Sequence, residues 1–163
     1  MSTILLTGCR GMLGRRINET LARDHRVVAT TWPPEAGFPS LDLTDPAAVA
    51  EAVGGARPDW IVKAAAYTAV DRAESEAALA FAVNRDGPGH LAEAAVGIGA
   101  RLLHVSTDFV FDGRKSSAYV EDDPTGPLGV YARSKEAGEI RVRESGVEHL
   151  ILRIAWLFGP EGG

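Results

Sequence analysis

The sequence predicts a doubly wound α/β fold, one parallel sheet with helices on both faces. Short apolar runs rich in β-branched residues alternate with segments of helical periodicity. Several of those runs are apolar throughout rather than at every second residue, as expected of strands covered on both faces. In "LLTGCRGMLG", Gly8, Gly11 and Gly14 follow one such run and open a helix, the local pattern of a strand turning into a phosphate-facing helix N-terminus.

Each element has a local reason. Thr3 to Gly8 ("TILLTG") reads as the first buried strand, and Leu13, Ile17 and Leu21 then recur every fourth residue as one apolar helical face. Arg26 to Thr31 is the second strand. The prolines of "WPPEAGFPS" exclude a helix or a central strand, and a short edge strand is expected around Leu41. Asp45 suits an N-cap and Pro46 the first helical position. Asp59 to Ala66 reads as the third strand. A helical region from Ser75 to Val96 follows, with a kink or break expected at Pro88, which Gly87 and Gly89 flank. Arg101 to Thr107 is the fourth strand. After a long polar loop, a helix is expected from Tyr131 to Ser145, ended by Gly146, and His149 to Phe158 is the last strand. Right-handed crossovers place the first strand at the centre of the sheet with the reversal of strand order beside it. Ligand then binds at the carboxyl ends of the strands flanking that reversal.

Composition narrows the function. A chain of 163 residues suggests one domain spanning 1–163, and 45% hydrophobic with 24% charged residues is ordinary for a soluble globular protein. The net charge of −5 argues against a general nucleic-acid or membrane-surface binder. One cysteine cannot form an internal disulfide, so a reducing, cytoplasmic setting is expected. No apolar run approaches the roughly 20 residues that span a bilayer, and the N-terminus lacks the pattern of a secretory signal.

Three clusters carry chemistry. In the glycine loop, Gly8 permits the tight turn, Gly11 lets a pyrophosphate approach the backbone, and Gly14 permits close helix–sheet packing. The amides that open the helix, at Met12 and Leu13, are then available to phosphates. In "YARSK", Tyr131 and Lys135 are four residues apart and share a helical face. A free tyrosine, with a pKa of about 10, is a poor acid–base group at neutral pH, and a nearby ammonium lowers that pKa. Such a pair can exchange a proton with a carbonyl or hydroxyl oxygen. In "STD", Ser106, Thr107 and Asp108 end a buried strand at the ligand-binding edge, where Thr107 can hydrogen-bond a reacting oxygen. His104 and Cys9 read as packing residues. The acidic stretch Glu121 to Asp123 reads as a solvated loop without metal-ligand organisation, and no metal is expected.

Together these features resemble the extended short-chain dehydrogenase/reductases, and among them the dTDP-4-dehydrorhamnose reductases. The matching segments are "TGCRGMLG", "LDLTD", "RPDWIVKAAAYTAVDRAE", "VSTDFVFDG", "PLGVYARSK" and "LRIAWLFG", in family order from the first residues to the last. The resemblance implies a Rossmann-type, NAD(P)-binding domain. It also implies a Thr107–Tyr131–Lys135 catalytic set that reduces the C4 ketone of a nucleotide-linked sugar, dTDP-4-dehydrorhamnose, to dTDP-rhamnose. Tyr131 would supply the proton, Lys135 would lower the tyrosine pKa and hold the nicotinamide ribose, and Thr107 would orient the carbonyl. Asp42 and Leu43 match the segment that contacts adenine, and Ala64, Ala65 and Ala66 the strand end under the cofactor. Asp108 and Trp156 match positions lining the sugar-nucleotide site, although a large core side chain is an equal reading of Trp156. A homodimer is compatible with the resemblance. Other readings are a different nucleotide-sugar reductase, epimerase or dehydratase, or a cofactor-binding regulatory subunit resembling that of methionine adenosyltransferase.

The chain departs from the family pattern in three places. Lys63 stands where the family carries asparagine, and a lysine at the end of a buried strand needs a partner or a route to solvent. Phe109 stands where tyrosine is common. The family chain continues past "FGPEGG" into a substrate domain, so the 163 residues by themselves are expected to be weakly active or inactive. Cofactor choice can also be read from the residues. The second strand ends in Thr30, Thr31 and Trp32, with no acid before Glu35, so the carboxylate that selects NAD is missing there. An arginine in the loop can instead pair with a 2′-phosphate through its planar fork, which predicts NADP(H) over NAD(H) with Arg10 as the determinant.

Overall fold

The computed structural model describes residues 1–159. Five strands form one parallel sheet, β1 (Thr3–Thr7), β2 (Arg26–Thr30), β3 (Trp60–Lys63), β4 (Arg101–Thr107) and β5 (His149–Ile154), in the order β2-β1-β3-β4-β5. The register pairs Thr7 with Thr30 and with Lys63, so the carboxyl ends of β1, β2 and β3 finish level. The reversal of order lies between β1 and β3, as expected, but β1 is one strand from the edge and β3 is the central strand.

The helices are α1 (Met12–Leu21), α2 (Pro46–Ala56), α3 (Val70–Ala73), α4 (Ala77–Phe81), α5 (Gly87–Ile98) and α6 (Val130–Glu144). Alternate strand residues serve opposite faces. Leu5, Ile61 and Leu102 pack with Val49 and Val53 of α2 and Leu91 of α5. Ile4, Leu6 and Val62 pack with Ile17 and Leu21 of α1. That two-sided burial is why the strands are apolar throughout. The Asp45 carboxylate caps α2, accepting from the amides of Ala47 at 2.9 Å and Ala48 at 3.2 Å.

Several boundaries differ from the sequence expectation. No edge strand forms around Leu41; a single bridge joins Thr31 and Ser40, and Leu41 is buried in the core. β3 stops at Lys63, leaving Ala64, Ala65 and Ala66 in the following loop, and β5 stops at Ile154. The regular α-helix is interrupted next to Pro88, by a change of winding and not by an end to the helical path. A π-helical turn, Ala82–Asp86, joins α4 to α5, and Pro88 sits in the first turn of α5. Proline lacks an amide and its ring crowds the carbonyl four residues back, here that of Asn84. The wider π turn accommodates that carbonyl. Space for it also comes from α6, where a Cβ on Gly138 would lie 2.1 Å from the Asn84 oxygen.

Candidate active site

The carboxyl ends of β1, β3 and β4 border a cavity of about 740 Å³. Its first wall is the glycine loop, which is shaped by close backbone approach. Gly8 has φ +72°, and a Cβ there would lie 2.7 Å from the Ala65 backbone. A Cβ on Gly14 would lie 2.0 Å from the Gly8 carbonyl oxygen. Gly11 differs: its φ is −69°, and a Cβ would meet nothing nearer than 3.4 Å. Gly8 and Gly14 are therefore required by the fold itself, whereas Gly11 leaves open space in front of the backbone. No side chain caps α1 and its first turn carries no acid, so the amides at Met12 and Leu13 open it without a competing carboxylate. Met12 and Leu13 both border the cavity. Bare backbone, an uncapped helix start and room at Gly11 fit a dinucleotide pyrophosphate.

The floor is the loop after β3. Ala64, Ala65 and Ala66 border the cavity, and the Ala65 amide donates to the Thr7 carbonyl at 3.2 Å. Asn84, from the π turn, anchors this loop. Its Oδ1 accepts from the Tyr67 amide at 3.0 Å, and its Nδ2 donates to the Tyr67 carbonyl at 2.9 Å and to the Ser134 hydroxyl at 3.0 Å. One buried amide thus ties the floor to α6.

The opposite wall is α6 with the end of β4. Thr107, Asp108, Tyr131 and Lys135 all border the cavity. The start of α6 is held from a distance: the Glu74 carboxylate accepts from the Val130 amide at 2.8 Å. Thr107 lies near the Tyr131 phenol, close enough to favour its ionised form. The Thr107 hydroxyl also donates to Asp108 at 3.2 Å and accepts from the Phe109 amide at 3.2 Å. The ring of Phe109, half exposed, meets Tyr131 edge-on, with centroids 6.0 Å apart.

The electrostatics differ from expectation at Tyr131. Burial raises its phenol above the ordinary tyrosine value; the nearby Thr107 hydroxyl opposes this and the Asp108 charge adds to it. The ammonium expected to lower that value is turned elsewhere, because Lys135 Nζ donates to the Val105 carbonyl at 2.6 Å. Burial pushes Lys135 down to about 8, against the pull of Glu139. Lys135 is thus still mostly charged at neutral pH, and Tyr131 is a neutral phenol.

Beneath this wall lies a buried polar layer. Lys63 and His104 are register partners on β3 and β4, both fully buried, and neither side chain has a hydrogen-bond partner. Lys63 thus has neither the partner nor the route to solvent that its position called for. Burial, followed by the Lys135 charge, pushes it well below the ordinary lysine value. His104 is lowered for the same reasons, burial first and then Lys63 and Lys135. Glu139, one turn beyond Lys135, is also fully buried but fully engaged. Burial pushes its carboxyl up, yet hydrogen bonds from Arg153 (2.7 Å) and Arg143 (2.8 Å) prevail and hold it below the ordinary value.

The remaining expected residues divide. Asp42 and Leu43 lie outside the main cavity, in an adjoining one of about 310 Å³ that shares Gly8, Ala65 and Ala66. The Asp42 carboxylate is spent locally on the Thr44 amide (2.8 Å) and hydroxyl (2.7 Å). Trp156 borders the main cavity but is 87% exposed, so it is not a core side chain. Cys9 is buried, and burial raises its thiol in spite of Arg10, as suits a packing residue. In the acidic stretch, Asp123 is more than solvated: it accepts from Lys115 and from the Val120 amide. Asn84, Glu74 and Glu139 were not singled out in the sequence. Only Glu74 carried any signal, as part of the segment "AAAYTAVDRAE". No helix among the described residues is long and apolar enough to cross a membrane.

Known proteins place this geometry. The family described as RmlD substrate binding domain matches residues 1–163. A dTDP-4-dehydrorhamnose reductase of Sinorhizobium fredii is 52% identical over 126 residues, covering 77% of this chain and 43% of that protein. One from Streptomyces griseus is 50% identical over 159 residues, covering 97% of this chain and 51% of its own length. The crystal structure of dTDP-4-dehydrorhamnose reductase from Bacillus anthracis in complex with NADP superposes with a TM-score of 0.91. It is 34% identical, and the match covers 99% of this chain and 56% of that one. The Bordetella bronchiseptica enzyme WbmG in complex with NAD and UDP gives 0.85 at 29% identity, over 98% of this chain and 55% of that one. The chain spans about half the length of the curated relatives it matches. Over that half, in sequence and in fold, it belongs to the dTDP-4-dehydrorhamnose reductase family.

Proposed function

We propose that the chain carries the NAD(P)H-binding and proton-donating part of a reductase acting on a nucleotide-linked 4-keto sugar, dTDP-4-dehydrorhamnose. The observation that carries this reading is the convergence on one cavity of the glycine loop with Thr107, Tyr131 and Lys135. The glycine loop and the start of α1 would hold the pyrophosphate, and Lys135 a ribose hydroxyl. When bound, the reduced nicotinamide supplies the hydride chemistry.

The neutral Tyr131 phenol donates its proton to the ketone oxygen as that oxygen gains electrons. Thr107, beside the phenol, would donate its hydroxyl to the same oxygen and fix its position. Lys135, charged near neutral pH and now held by the Val105 carbonyl, would favour the phenolate left behind if its ammonium turned toward the phenol. Raised by burial, the phenol is the correct starting form for a reduction, because the step consumes its proton. Arg10 gives the dinucleotide site a preference for NADP(H). The sugar nucleotide would lie toward Asp108 and Trp156 at the cavity mouth.

The test is NADPH oxidation with dTDP-4-dehydrorhamnose, alongside equilibrium binding of NADPH. Tyr131→Phe is expected to leave NADPH affinity within about twofold and to remove at least about 100-fold of any turnover. Turnover unchanged in that variant would overturn the assignment. Turnover by the 163 residues alone is expected to be weak, and rates typical of a whole enzyme would overturn that expectation.

A further inference from the structure

We propose that Glu35 is a second cofactor-specificity residue, which holds Arg10 by a carboxylate fork and limits how strongly the site prefers a 2′-phosphorylated adenosine. The inference rests on the reading that Arg10 faces the adenosine ribose.

The end of β2 carries no acid. The Thr30 hydroxyl is spent on the Leu6 carbonyl at 3.1 Å, and Thr31 is buried. The chain then runs out through Trp32 and returns, and the return brings Glu35 onto the glycine loop. Glu35 Oε2 accepts from Arg10 Nε at 2.9 Å, and Oε1 lies 2.8 Å from Nη2. The guanidinium carbon also lies 5.5 Å from the centre of the Phe38 ring. Arg10 borders the main cavity beside Thr31 and Trp32. The carboxylate missing at the strand end is therefore supplied in space, five residues later, and it is aimed at Arg10.

Two consequences follow from charge. The side chains are 41% and 45% exposed, so the pair is weak and exchangeable. A phosphate dianion can take the guanidinium, but it then sits beside a carboxylate. An unphosphorylated ribose meets a neutral pair, with a carboxylate acceptor for its hydroxyls. Glu35 thus works against the 2′-phosphate and not against the free ribose, which narrows the discrimination that Arg10 alone would give.

The test is equilibrium binding of NADPH and NADH to the full chain and to three variants, with adenosine 2′,5′-bisphosphate and AMP as probes of the adenosine end alone. Glu35→Gln, which keeps shape and removes charge, is expected to raise the NADPH-to-NADH affinity ratio about three- to fivefold, chiefly through tighter NADPH. The bisphosphate-to-AMP ratio should rise in parallel, and Glu35→Asp should return both toward the parent. Arg10→Ala should bring both ratios to one or below, because Glu35 is then left unpaired. A ratio unchanged or lowered in Glu35→Gln, with Arg10→Ala still collapsing it, overturns the role of Glu35 and leaves that of Arg10 standing. An Arg10→Ala variant with the parent's ratio, or a chain that binds neither dinucleotide, overturns both.

Discussion

The two walls of the large cavity are built by opposite means. The glycine wall depends on what is missing, since Gly8 and Gly14 sit where any side chain would strike backbone. The α6 wall depends on what is buried, a layer of Lys63, His104, Lys135 and Glu139 beneath the cavity. Within that layer the charges are unequally served. Glu139 is matched by two arginines and Lys135 by a carbonyl, while Lys63 and His104 have nothing. A wall made of backbone tolerates no added atom. A wall made of buried polar groups tolerates no lost partner, and at Lys63 it contains a group with no partner to lose.

The largest effect is expected at Glu139. Glu139→Gln leaves Arg153 without its buried counter-charge and should lower stability by about 3 kcal/mol, read as a shift in the urea midpoint. A loss below about 1 kcal/mol would mean that the arginines find water instead, and that the α6 wall is less dry than its burial implies.

Gly14→Ala comes next on the opposite wall. Its Cβ would lie 2.0 Å from the Gly8 oxygen, and neither backbone can yield cheaply, so a loss of about 2–3 kcal/mol is expected in the same measurement. Gly11→Ala is its control: with φ −69° and 3.4 Å of clearance, it should change stability by no more than about 0.5 kcal/mol. NADPH affinity should nonetheless fall in Gly11→Ala, measured by titration. If both substitutions unfold the loop alike, the distinction between packing glycine and ligand-facing glycine fails.

Lys63→Met should stabilise the chain, by about 1–2 kcal/mol near neutral pH. The sign follows from linkage. Folded Lys63 is pushed well below the ordinary lysine value of 10.5, so below that pH the unfolded chain holds a proton that the folded chain does not. The penalty is absent above pH 10.5 and grows as pH falls toward the folded value. The advantage of Lys63→Met should therefore be small near pH 10 and wider at pH 7, read as the difference in thermal midpoint at the two pH values. An advantage independent of pH would point to packing, not charge.

Much of this was legible in the sequence where the physics is local. The glycine spacing, the two-sided apolar strands and the Asp45–Pro46 helix start each depend on residues within one turn or one strand, and each lies where it was expected. The same holds for the placement of Tyr131 and Lys135 on α6, since four residues on a helix fix a common face. What stayed open was of another kind. Pro88 was expected to kink or break its helix, and the form of the interruption, a π turn, depends on the empty place at Gly138, some 50 residues away. Trp156 read equally as a core side chain and as a residue lining the sugar-nucleotide site, and its exposure beyond the end of β5 excludes the first.

The sequence by itself determined the sheet with its glycine loop and the family, because periodicity and motif order are properties of the chain. Tertiary structure alone decided which groups are neutral. Lys135 bonds to a strand carbonyl instead of serving the phenol, Lys63 is left unpartnered, and Glu139 collects two arginines. It also decided that Glu35, distant from Arg10 in the chain, closes on it in space. The reason is that burial and pairing are set jointly by elements far apart in sequence, and the ionisation of a buried group follows from all its neighbours at once.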